Sequence, residues 1–205
     1  YEMTMKEMTS FIQRSFPEYC ELSREDQKML LKPLVGTICT IENYYNSVRD
    51  FAKKKIFMTT LISCIDLGKM EGCISADLER VGLGSEYLSF IRNNATEYLS
   101  VMDSGFANAN MTMIEYHALI ALAIWQLDVN FPEHLHTLSE RIRRKILANL
   151  GQYYKEEMKL TEYSVRLGNL MTICLTVKAY ILILSKSSKK FAIKMNICEL
   201  YYFLI

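Results

Sequence analysis

The chain has 205 residues, half of them hydrophobic and 23% charged, with a formal net charge of +1. That near-neutral balance carries no basic footprint for nucleic acid and no acidic tail. A chain of this length buries roughly 70% of its unfolded surface, so its core needs no staples, and 8 glycines with 3 prolines leave few breakers and predict long helices.

Residues 2–15 place Met5, Met8, Phe11 and Ile12 at helical spacing, and Pro17 ends that run. Ser23 with Asp26 three residues on is an N-cap pattern for a second helix reaching about Arg49, with Leu30, Leu31, Leu34, Ile38 and Ile41 as its stripe. Pro33 inside it predicts a bend or one lost hydrogen bond. From Lys55 to Ile74, β-branched residues and two glycines predict a short hairpin or irregular loop.

The helical period returns after VGLGS. Tyr87, Leu88, Ile91, Ala95, Tyr98 and Leu99 mark one helix, and Thr112 caps the next, which runs to Leu127. Phe131-Pro132 opens another, with Leu135, Leu138, Ile142, Ile146, Leu147 and Leu150 facing inward. A long apolar helix follows over 160–184. Its most apolar run, 170–184, holds Lys178, is short for a bilayer span and suits a buried helix. SKSSKK (185–190) reads as a polar break before a short amphipathic tail.

The chemistry-bearing residues do not assemble into a catalytic pattern. His134 and His136 stand two apart, on different sides of a helix, and His117 has no partner at ligand spacing. Gly82 and Gly84 make a GxG whose third glycine position is Tyr87. The six cysteines form no CxxC and mostly sit in apolar runs, which predicts reduced core thiols. Two N-glycosylation triplets, at Asn94 and Asn110, carry little weight with no leader segment in view. These observations predict no enzyme, no metal and no cofactor.

Phe16, Pro17, Tyr19, Leu22, Asp26, Gln27, Leu30, Leu31 and Lys32 form a helix, an FP-x-Tyr-x-x-Leu loop and a DQ-x-x-LLK start. This order resembles the signature of nuclear hormone receptor ligand-binding domains. ExxxLIALAIWQLD (115–128), LSERIRRKILANLGQYYK (138–155) and RLGNL (166–170) are similar to that family's eighth, ninth and tenth helices. The FP-x-Tyr signature and short loops look most like the divergent supplementary receptors of nematodes. The resemblance implies one ligand-binding domain over 1–205 without the family's first helices. It also implies an all-α, three-layer antiparallel helical sandwich with at most a small β-hairpin.

The same resemblance implies the functional residues. A small hydrophobic ligand, fatty acid or sterol-like, would lie among Met5, Met8, Cys39, Val177, Tyr180, Ile181 and Leu184, with Tyr180 as its polar anchor. A coactivator or corepressor helix of the LxxLL kind would dock on Gln13, Arg14, Lys28, Leu31, Lys32 and Glu199. Gln13 or Arg14 takes the family's lysine position, depending on the loop register. Lys28 and Asn196 depart from the usual apolar pattern. Glu115 and Arg166 would join two helices as an ion pair, and the 160–184 helix would form a homo- or heterodimer contact. The segment Ile193–Phe203 would dock as a switch. With no paired CxxC motifs the chain itself reads no DNA; its place is the nucleus, away from membranes. A ligand-free dimerising scaffold with a filled pocket is the competing reading, and a soluble lipid carrier a third.

Overall fold

The computed structural model describes residues 2–51, 56–60, 63–66 and 110–195, together with Ser89 and Asn93. Helix α1 covers Glu2–Ser15, α2 Pro17–Cys20 and α3 Arg24–Phe51. Strands β1 (Ile56–Thr60) and β2 (Ser63–Asp66) follow, then α4 (Met113–Ile124), α5 (Glu133–Glu156) and α6 (Ser164–Met195). The helix expected at 87–99 lies outside the described residues, apart from Ser89 and Asn93.

The elements end where the backbone chemistry requires. Phe16 leaves the helical region (φ −133°, ψ 90°), because the ring of a following proline crowds the α conformation. Pro17 then opens α2, where its missing N–H costs nothing. Ser23 Oγ accepts from the Asp26 N–H at 3.1 Å and donates to the Asp26 carboxylate at 2.8 Å, starting α3. Thr112 and Glu115 form a reciprocal capping box on α4. Pro132 precedes α5, with Glu133 in its first turn.

The fold is an all-α sandwich, with one small hairpin among the described residues. Helix α3 lies in the middle and meets α1, α4 and α6, while α5 packs on α4. The strands pair antiparallel, Ile56 opposite Asp66 and Phe57 opposite Ile65, with an irregularity between Met58 and Thr60. Ile12, Leu30, Ile41, Tyr44, Leu119, Trp125, Leu135, Tyr154 and Val177 are completely or almost completely buried in one cluster. Buried Gly151 of α5 lets the Tyr163 hydroxyl approach, since a Cβ there would stand 3.1 Å from it.

Three expectations need correction. SKSSKK is not a break: α6 continues as helix to Met195. Lysine is a good helix former and serine only mildly unfavourable, so polarity there does not stop the helix. Helix α6 is also not wholly interior; only 28% of its Ser164–Leu182 window is buried. Because it begins well before 170, that window is long and apolar enough by length and composition for a membrane span, yet its inner face packs in the core cluster. Finally, Cys20 is exposed, in contrast to half-buried Cys39 and buried Cys174, although all three are free thiols.

Candidate functional site

Glu115 is the most enclosed carboxylate among the described residues, its side chain 3% exposed where it meets Arg166. Arg166 of α6 grips it with a two-pronged contact, Nε to Oε1 at 2.5 Å and Nη2 to Oε2 at 2.6 Å. The Tyr154 hydroxyl of α5 donates to Oε1 at 2.8 Å, and the Thr112 N–H to Oε2 at 2.8 Å. Burial alone would raise the Glu115 pKa, but the Arg166, Thr112 and Tyr154 bonds outweigh it and hold the carboxyl below its usual range. Asn110, in the left-handed region at φ 40°, turns its carbonyl to accept from Arg166 Nη2 at 3.1 Å. Three helices and one loop therefore converge on a single carboxylate. Tyr154 was not foreseen; only a helical phase, too coarse to single out one residue, marked its position.

The joint between α1 and α3 is a second polar lock. Gln27 Nε2 donates to the carbonyls of Tyr19 (3.0 Å) and Leu22 (3.2 Å), while the Tyr19 hydroxyl donates to the Gln27 carbonyl at 3.2 Å. Phe16 packs edge-on against Trp125, ring centroids 5.6 Å apart. His134 of α5 lies 3.1 Å from Asp26, and the Ser23 and His134 contacts hold that carboxylate low. Around this joint Gln13, Arg14 and Lys28 are exposed and Leu31 half-buried. Arg14 Nε donates to the Ser10 carbonyl. Phe11 and Met29 also stay exposed at 37% and 40%. The Lys32 side chain and all of Glu199 lie outside the described parts.

Of the residues expected around a ligand, Met8, Val177 and Tyr180 are buried in the core cluster, and Cys39 and Ile181 pack against it. Tyr180 meets Tyr44 edge-on at 6.4 Å. The side chains of Met5 and Leu184 lie outside the described parts. Lys178, anomalous within an apolar helix, is explained by the loop between α4 and α5: Nζ reaches the Gln126 carbonyl at 2.5 Å and Asp128 at 2.7 Å. One turn earlier Cys174 donates to the Gln126 side chain, and burial pushes its thiol up to about 11. Two clefts among the described residues lie elsewhere, one beside Lys178 and Phe131, the other over Arg166. No group of three or more potential metal ligands gathers among the described residues.

No curated protein sequence matches the chain. Among solved structures, the Ultraspiracle ligand binding domain from Drosophila melanogaster aligns with a TM-score of 0.58 at 15% identity, covering 87% of this chain and 69% of that one. At that identity the likeness is one of fold. The family model described as the ligand-binding domain of nuclear hormone receptor matches residues 1–201. With nearly the whole chain inside that match, the protein belongs to the nuclear hormone receptor ligand-binding domain family.

Proposed function

We propose that this domain binds a small lipophilic ligand and recruits coregulator helices for a ligand-regulated transcription factor in the nucleus, and that it is a binding module rather than an enzyme. The α1–α2–α3 joint carries this reading. Its part-buried hydrogen bonds tie α3 to α2 and the loop after it, while Gln13, Arg14 and Lys28 are exposed and Leu31 is half-buried. Such an arrangement suits an amphipathic helix whose apolar side chains enter the groove, with cations meeting the negative C-terminal end of its dipole. Lys32 would extend the basic edge and Glu199 would hold the opposite end of the peptide. Met5, Met8, Cys39, Val177, Tyr180, Ile181 and Leu184 would enclose the ligand, and α6 would pair with a partner subunit.

Titrating a fluorescent LxxLL peptide against wild type, Arg14→Ala, Glu199→Gln and a chain ending at Met195 tests this reading. The expected result is binding by wild type and about five- to tenfold weaker binding by each variant, the size of one charge-assisted contact. Equal affinity in all four would remove the joint from any role in recruitment.

A further inference from the structure

The cleft over Arg166 is assembled from three separate stretches of chain. Met111 comes from the segment before α4, Leu160 and Glu162 from the loop between α5 and α6, and Val165, Arg166, Asn169 and Leu170 from the first turns of α6. Its volume is about 340 Å³, within the range of small-molecule sites. Asn110 (φ 40°) and Lys159 (φ 55°) are the two non-glycine residues with positive φ among those described, and each stands directly before a residue of the cleft wall. Such backbone is costly and persists only where its surroundings fix it. Here the Leu160 N–H donates to the Tyr154 carbonyl at 2.9 Å, and the Asn110 carbonyl accepts from Arg166 Nη2 at 3.1 Å. The walls therefore stand formed before any ligand enters, which lowers the cost of binding.

The polar groups select the ligand. Arg166 holds Glu115 through Nε and Nη2, so Nη1, at the far corner of the planar guanidinium, meets no acceptor among the described residues. The Arg166 charge is already matched by Glu115. Glu162 is exposed, and the Ser164 hydroxyl and N–H hold its carboxyl below the usual range, so it stays ionised and sets the net charge of the cleft. The exposed Asn169 amide adds a second free donor. A cation is attracted there and an anion repelled, while a neutral oxygen finds two donors. We propose that this cleft binds a small amphipathic primary amine carrying a neutral carbonyl oxygen. Its ammonium meets Glu162, its oxygen accepts from Arg166 Nη1 and Asn169, and its apolar body lies on Met111, Leu160, Val165 and Leu170. The site shares no residue with the interior pocket proposed above, so it stands or falls independently of that reading. Because the oxygen bonds the guanidinium that grips Glu115, an occupied cleft braces the contact between α4 and α6.

Titrating phenylalaninamide into the isotope-labelled chain, followed by proton–nitrogen correlation spectra, tests the site. The backbone signals of Met111, Leu160, Val165 and Asn169 and the Nε–H signal of Arg166 should move together along one isotherm. The Kd should lie near the millimolar value expected of about a dozen non-hydrogen atoms. At about ten times that concentration the melting temperature should rise by roughly 3–6 °C. Hydrocinnamamide, which lacks the amine, and phenethylamine, which lacks the carbonyl, should each bind about threefold or more weakly than the parent. Glu162→Gln keeps an acceptor for the Ser164 N–H, so circular dichroism should show the wild-type helix content. That variant should lose the same factor for phenylalaninamide and leave hydrocinnamamide unchanged. Signals that move around Val177 and Tyr180 instead, or no movement well above millimolar concentration, would overturn the site. So would Glu162→Gln binding phenylalaninamide as tightly as wild type, or either truncated compound matching the parent.

Discussion

At the scale of single residues, the largest stake rests on Glu115 and Arg166. Their spacing in the chain carries no signal that they meet; the family resemblance supplied the pair, and the structure adds Tyr154 and Asn110. With Glu115 almost fully enclosed, Arg166→Ala leaves a buried carboxylate without its cation, at a cost of about 3–5 kcal/mol. For a chain of this size that lowers the melting temperature by roughly 6–20 °C, readable by circular dichroism. Replacing both partners with apolar residues of similar volume should cost less than the single change. The acid dependence has a definite sign. The folded Glu115 pKa lies below the ordinary 4.5, so its contribution is fully present above that value and is lost as the pH falls through the lower folded one. Asp26, also held low, acts in the same direction. A wild-type chain whose stability does not decline below pH 4.5, or declines no more steeply than Arg166→Ala, would contradict this.

At the scale of elements, the starts were easier to read than the ends. Ser23, Thr112 and Pro132 each mark a helix start through a specific backbone demand, and each stands next to the observed boundary, whereas Pro17, read as ending α1 before a loop, also opens the short helix α2. No comparable residue ends α6 near 184, and polarity alone misled there. The lock across the α1–α3 joint was hidden for another reason: Gln27 reaches carbonyls, and every residue has one. Its consequence is measurable. Gln27→Ala removes both donations to Tyr19 and Leu22 and should cost about 1–3 kcal/mol, the net worth of two part-buried hydrogen bonds. The chain's single tryptophan is Trp125, packed on Phe16 at this joint. Its emission should shift to the red in Gln27→Ala with helix content unchanged; unaltered emission together with an unaltered melt would mean that the joint is held by apolar packing alone.

At the scale of the whole molecule, few breakers and repeated helical stripes made the all-α class legible, whereas the layer order came from the resemblance, since no single stripe says which helix it faces. The interior leaves one functional choice open to measurement. Met8, Val177 and Tyr180 lie in one buried cluster with Tyr44, a surface equally suited to enclosing a lipophile or to closing on itself. The two differ in what travels with the protein. A bound lipophile adds mass in native mass spectrometry and stabilises the fold in proportion to RT ln(1 + [L]/Kd). The expected outcome is a co-purifying apolar mass in the wild type that disappears in Val177→Phe, because the larger ring takes up space beside Tyr180. Overpacking by itself costs about 1–3 kcal/mol, so the variant should melt somewhat lower with or without ligand. Delipidation separates the two effects: it should lower the wild-type melt and leave Val177→Phe unchanged. If the wild type flies as the bare chain and its melt ignores delipidation, the interior is filled by its own side chains and the domain acts by dimerising alone.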